Sequence, residues 1–148
     1  MELSDALDGY VARKYNMVTD LGKILDPFSD VISRITFFFC FAFTGIMPAW
    51  TLIIIIYREL AITFMRMMMM GRGTAMAASI WGKAKAITYT IAGVFGLVMM
   101  SIQRFDLNLS RMNIIETVVL LSFILAAFSS AASFVTYFIA VRKAFKKN

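Results

Sequence analysis

A chain of 148 residues that is 60% apolar and only 16% charged does not have the surface of a water-soluble domain, which carries roughly a quarter charged residues. It contains no histidine and one cysteine, Cys40, which excludes histidine-based triads, Cys/His zinc sites and an intrachain disulfide framework. The net charge of +6 would suit nucleic acid, but the basic residues follow membrane topology instead, and no nucleic-acid partner is expected.

The chain begins MELSDALDGYVARK, too polar for the apolar core of a secretory signal. Asp5 and Asp8 lie three apart, and Asp26 and Asp30 four apart. On helices each pair projects to one side. The partly polar stretch from Asn16 to Gly22 predicts a reversal between them. Two antiparallel helix ends would then gather four carboxylates at one membrane face. Such a cluster is unfavourable unless cations neutralise it, and an all-oxygen set selects magnesium or manganese, with room for two ions. Taken singly, each aspartate also reads as a helix cap or a solvated interfacial charge, and Asp26-Pro27 suits an N-cap with proline at the first helical position. Taken together, with Asp26 and Asp30 opening an apolar span, they read as functional.

A membrane-spanning helix needs about 20 apolar residues, and four segments qualify: about 27–45, 50–70, 80–102 and 114–141. The connections are Ile46-Met47-Pro48, Gly71-Arg72-Gly73 and Arg104 to Ser110. The fold class is therefore all-α, a polytopic transmembrane helical bundle, with residues 1–148 forming one domain. Of the fifteen basic residues, only Arg104 and Arg111 fall in the loops opposite the N-terminus. Arg66, Arg72, Lys83, Lys85 and the tail from Arg142 to Lys147 fall on the N-terminal side, which is therefore cytoplasmic. Met65 and Met67 to Met70 read as packing against lipid or neighbouring helices. Ala92, Gly93 and Gly96 read as close helix packing, and Ala126, Ala127 and Ser129 to Ala132 as a packing face or a homodimer seam. Trp50 and Tyr137 read as interfacial aromatics.

The second segment carries Arg58 and Glu59 inside an apolar run. A charge at the centre of a span costs roughly 2.5–3.5 kcal/mol and usually faces a polar cavity. The alternative is a structural pair of Arg58 with Glu59 or Asp30. Lys83 and Lys85 open the third segment, either in such a cavity or snorkelling to lipid headgroups. Arg34, one turn beyond Asp30, is a phosphate contact or a salt-bridge partner of Asp30.

The pattern D-x2-D-G-x2-A-R-x8-G-x3-D-x3-D over residues 5–30 resembles the motif of the CDP-alcohol phosphatidyltransferases. The resemblance implies a multi-span enzyme that moves a phosphatidyl or related group from a CDP-linked donor to an alcohol and releases CMP. It implies metal ligation by Asp5, Asp8, Asp26 and Asp30, with Asp30 also accepting the proton of the attacking alcohol. Gly9, Arg13 and Thr19 would bind the CDP-lipid, and Gly22 would close the turn. The Arg58-Glu59 pair followed by Gly82-Lys83-Ala84-Lys85 is similar to the bacterial phosphatidylglycerophosphate synthase branch. That likeness implies CDP-diacylglycerol as donor, glycerol 3-phosphate as acceptor, and Arg58, Lys83 and Lys85 around the acceptor phosphate. Ala86 departs from the branch, where many members carry threonine. The alternatives are another acceptor, such as inositol phosphate or serine, or an inactive membrane remnant. The implied setting is the bacterial inner membrane, with the active site facing the cytoplasm, membrane lipids as surroundings and a homodimer as an assembly. In the family two spans precede the end of the Asp-x-x-Asp-Gly helix, whereas Met1 to Ser4 rise only about 6 Å against a hydrocarbon core of about 30 Å. The expectation is a form truncated at its N-terminus, lacking about 50 residues by span and loop lengths, and weakly active or inactive alone.

Overall fold

In lipid every backbone N–H and C=O must find a partner within the chain, and a helix provides it locally. The computed structural model describes residues 20–71, 80–106 and 111–146, and each long apolar segment there is a helix. These are α1 (Asp20–Phe43), α2 (Ala49–Met70), α3 (Ile80–Arg104) and α4 (Met112–Lys146). Among the described residues there is no strand. Helices α3 and α4 are long and apolar enough to cross a membrane. The other two are of similar length but interrupted by charge: Asp26, Asp30 and Arg34 in α1, and Arg58, Glu59 and Arg66 in α2. At 35 residues, α4 is about 52 Å long at 1.5 Å per residue. It outreaches the hydrocarbon core by some 20 Å, so Arg142 and Lys143 can stand beyond the apolar layer.

Two readings fail at the start of α1. Gly22 and Asp26 lie inside the helix, so Gly22 does not close a turn and Asp26 is not the N-cap of a helix beginning at Pro27. Pro27 lacks an N–H and removes one bond to the preceding turn. Membrane helices tolerate that loss where neighbouring groups re-satisfy the freed carbonyl.

The end of α1 is fixed by Gly45, whose φ of 76° is a left-handed conformation that costs glycine nothing. It lets the Ile46 amide reach the Phe41 carbonyl at 3.0 Å and the Gly45 amide reach that of Ala42 at 3.2 Å. This is the double closure of a Schellman motif. Pro48 then starts α2, where its missing donor is harmless.

Packing runs α1 to α2 to α4 to α3, and α1 closes the ring against α3. One half of the bundle is aromatic. Phe38 and Phe41 of α1 meet Phe123 of α4 at ring distances of 6.2 and 5.6 Å, and Phe38 meets Tyr89 of α3 edge-on at 5.1 Å. Gly96 admits this cluster: a Cβ there would lie 2.9 Å from Phe41 and 3.0 Å from Phe123. Gly93 similarly faces Phe37. The expected close packing of Ala92, Gly93 and Gly96 is thus present. Outside, Phe43, Ile87, Leu125 and Phe128 are widely exposed, an apolar surface suited to lipid chains and not to water.

The expected packing face on α4 is present: Ala126, Ala127, Ser129 and Ser130 are buried within the chain itself, against α3 and α2. Of the two aromatics read as interfacial, Tyr137 is buried beneath Arg66 and Trp50 is exposed at the start of α2.

Candidate active site

The other half of the bundle is polar. A cavity of about 280 Å³ is lined by Asp30 and Arg34 of α1, Arg58, Glu59, Thr63 and Arg66 of α2, Gly82 and Lys85 of α3, and Tyr137 of α4. The helix ends explain the convergence. The start of α1, the end of α2, the start of α3 and the end of α4 share one end of an up-and-down bundle, and each polar residue lies on the face its helix turns inward.

Glu59 stands at the centre with 3% of its surface exposed. Its Oε1 accepts a hydrogen bond from Arg58 Nη1 at 3.0 Å, forms an ion pair with the Lys85 ammonium, and lies 3.2 Å from the Tyr89 hydroxyl. Its Oε2 accepts from Arg34 Nη1 at 3.2 Å. Three donors thus crowd Oε1 and one reaches Oε2, so most of the carboxylate's roughly four lone-pair positions are engaged by neighbouring side chains. Buried and ringed by these donors, Glu59 is engaged by the chain's own cations. Its role is to hold cations.

Arg58 is as deeply placed, at 6% exposure. Its Nε and Nη2 both donate to Ser133 Oγ of α4, at 3.0 and 2.7 Å, while Ser133 Oγ donates to the Ser130 carbonyl at 2.8 Å. Three of the five guanidinium N–H bonds are thus spent on Glu59 and Ser133, and two are left for the cavity. Arg66 is held differently. Its Nη2 donates to the Tyr137 hydroxyl at 2.9 Å and its guanidinium lies 5.4 Å from the Tyr137 ring centre. Among the described residues it forms no ion pair with a carboxylate. Among the described lining residues, four cations (Arg34, Arg58, Arg66, Lys85) against two carboxylates (Asp30, Glu59) leave a surplus of two positive charges.

The sequence-predicted residues divide accordingly. Asp30, Arg58 and Lys85 line one cavity. Lys83 does not: two residues from Lys85 on the same helix, it is turned away and exposed, as a snorkelling side chain would be. Arg58 pairs with Glu59 and not with Asp30, and Arg34 likewise pairs with Glu59 and not with Asp30. Asp26 lies one turn before Asp30 on α1, and Asp30 is exposed at the cavity. Asp5, Asp8, Gly9, Arg13 and Thr19 fall outside the described residues. Among the described residues no group of three or more metal-ligating side chains forms.

Sequence reasoning missed Ser133, Tyr89, Arg66 and Tyr137. The one signal for Ser133 was the recurrence of serine at 129, 130 and 133 in an otherwise apolar span, which matches one helix face as well as it matches small-residue packing.

Comparison with known proteins supplies a second line of support. The family model for CDP-alcohol phosphatidyltransferase matches residues 1–141. A CDP-diacylglycerol--glycerol-3-phosphate 3-phosphatidyltransferase of Treponema pallidum is 38% identical over 104 residues, 70% of this chain and 48% of the relative. The protein of the same name from Bacillus subtilis is 40% identical over 89 residues, 60% of this chain and 46% of the relative. That of Mycoplasma genitalium is 30% identical over 145 residues, 97% of this chain and 61% of the relative. The chain spans about half the length of the first two.

Proposed function

The chain belongs to the CDP-alcohol phosphatidyltransferase family, and from that premise we propose that it transfers the phosphatidyl group of CDP-diacylglycerol to glycerol 3-phosphate, releasing CMP. The observation that carries the choice of acceptor is the cavity beside Asp30, whose described lining residues carry a surplus of two positive charges. A phosphate monoester dianion matches that surplus, whereas serine, a zwitterion, would leave it uncompensated. The names of the three relatives support the same acceptor.

In this reading Arg58 and Lys85 hold the acceptor phosphate from the buried side, and Arg66, steadied by Tyr137, holds it from the end of α2. The free hydroxyl of glycerol 3-phosphate then faces Asp30. As the hydroxyl oxygen forms its bond to the donor's phosphatidyl phosphorus, its proton passes to the Asp30 carboxylate, and the bond from that phosphorus to CMP breaks. Displacement of this kind needs positioning and charge neutralisation more than covalent help. Magnesium or manganese fits the donor set, because aspartates supply hard oxygen ligands only and Asp26 and Asp30 are one turn apart on α1. Asp5, Asp8, Asp26 and Asp30 would hold the ions, which when bound supply charge neutralisation to the diphosphate and the departing CMP. Gly9, Arg13 and Thr19 are the proposed contacts to the CDP-lipid. The basic ends of α2, α3 and α4 support a cytoplasmic site, in a bacterial inner membrane if the organism follows its relatives.

The test is CMP release from CDP-diacylglycerol by membranes containing the expressed protein, with glycerol 3-phosphate, glycerol, serine or inositol phosphate as acceptor. Release driven by glycerol 3-phosphate well above the others supports the proposal. Equal release with glycerol would refute the role of the cations.

A further inference from the structure

We infer that Glu59 is a positioning residue that sets the acceptor specificity of this site by fixing Arg34, Arg58 and Lys85 around a cavity shaped for a phosphate dianion. The inference rests on the acceptor reading above and adds a residue which that reading does not use. Three observations carry it. Glu59 is buried, and its two oxygens reach cations on three helices: Arg34 of α1, Arg58 of α2 and Lys85 of α3. Four donors surround its carboxylate, three at Oε1 and one at Oε2, and its burial withdraws it from the open side of the cavity. It is itself aimed by Tyr89, whose hydroxyl lies 3.2 Å from Glu59 Oε1 and 2.9 Å from Ser130 Oγ of α4. A phenol has one proton and a carboxylate only accepts, so that proton goes to Glu59.

The consequence is selective. Three cations alone would repel one another and turn outward toward the open side of the cavity. One central carboxylate draws them to a common point and leaves their remaining N–H bonds directed to the space in front of it. Each cation keeps donors for a ligand, because Lys85 carries three N–H bonds and the arginines five each. A ligand with three phosphate oxygens uses that convergence, and a neutral alcohol does not.

Removing Glu59 alone would bury uncompensated positive charge and endanger folding. The experiment therefore compares Arg34→Gln with the double variant Arg34→Gln/Glu59→Gln, whose cavity has the charge of the original. Tyr89→Phe, which alters no charge, is carried in parallel. Glycerol 3-phosphate binding is measured by calorimetry on detergent-purified protein without donor lipid, and KM for each substrate by CMP release. The expected result is acceptor affinity at least tenfold weaker in the double variant than in Arg34→Gln, and about three- to tenfold weaker in Tyr89→Phe than in the original. The KM for CDP-diacylglycerol should change by less than twofold in both. A purely structural Glu59 predicts lowered yield or thermal stability with acceptor affinity unchanged in whatever folds, and that result overturns the inference. If the double variant does not give a monodisperse protein, Tyr89→Phe decides: affinity equal to the original overturns the inference. Binding of glycerol 3-phosphate without turnover would refute the proposed reaction and leave the Glu59 comparison standing. Absence of binding by the original protein would refute the cavity's role and this inference with it.

Discussion

Replacing Ser133 by alanine removes a single oxygen, and with it the acceptor of two Arg58 N–H bonds, at 3.0 and 2.7 Å. The site is sealed on that side, for Ser133 is fully buried, and alanine offers nothing in exchange. Hydrogen bonds to charged groups contribute about 1.5–3 kcal/mol. Polar contacts between membrane helices average nearer 0.6 and reach about 1.7 kcal/mol. The larger scale should govern here, because the donor is a guanidinium, yet the two bonds share one acceptor and will not add in full. A loss of about 1.5–3 kcal/mol is expected, divided between the α2–α4 contact and the aim of Arg58. As 1.4 kcal/mol is a factor of ten, the share of about half that falls on the aim of Arg58 should raise acceptor KM about 3- to 12-fold. The KM for CDP-diacylglycerol should stay within twofold. Ser122→Ala is the matched control: Ser122 is also buried, but its hydroxyl bonds only the Val119 carbonyl of its own helix. Steady-state CMP release with each substrate varied in turn separates the two KM values. An unchanged acceptor KM in Ser133→Ala, or an equal rise in Ser122→Ala, would refute the claim that Ser133 aims Arg58.

Asp30→Asn should lose turnover by at least a thousandfold while CDP-diacylglycerol still binds, measured by single-turnover CMP release and lipid binding; near-normal rates would end its assignment as proton acceptor. Chelation should stop the reaction and magnesium or manganese restore it; activity persisting after exhaustive dialysis against EDTA would refute the metal assignment. Lys85→Gln should raise the acceptor KM more than Lys83→Gln, since Lys85 lines the cavity and Lys83 is exposed outside it; equal effects would contradict that placement. Gly96→Ala should cost about 1–3 kcal/mol by overpacking, read as lowered thermal stability in detergent, because its Cβ meets the buried rings of Phe41 and Phe123. Gly93→Ala should cost less, because Phe37 is partly exposed and can swing away; the reverse order would refute the packing account.

The helices were legible because each apolar run is long and ends in punctuation that physics enforces. Gly45 and Pro48 stop one helix and start the next, and the observed ends of α2 and α3 fall within a few residues of those read from hydropathy. The start of α1 was not legible. Gly22 and Pro27 are both turn formers by propensity, and nothing local reveals that the helix continues through them. In the site, Arg58 and Lys85 announced themselves as charges in apolar surroundings, and Glu59 did so too, but only as Arg58's neighbour. That one carboxylate would collect cations from three helices depends on how α1 and α3 sit against α2, which periodicity does not encode. Lys83 and Lys85 looked equivalent in sequence. Two residues apart on a helix they point some 160° apart, and helix packing decides which one is buried. Ser133 was hidden because serine in a membrane helix serves equally as a small spacer and as a hydrogen-bonding partner.

The central claim is that a cavity with two surplus positive charges beside Asp30 selects a phosphate-bearing acceptor. The most direct measurement compares glycerol 3-phosphate with glycerol as acceptor for CMP release from CDP-diacylglycerol, in the original protein and in Arg58→Gln. The account predicts a preference for glycerol 3-phosphate of at least a hundredfold in kcat/KM, collapsing by tenfold or more in Arg58→Gln as the acceptor KM rises. A preference that survives Arg58→Gln intact, or none in the original protein, would contradict it.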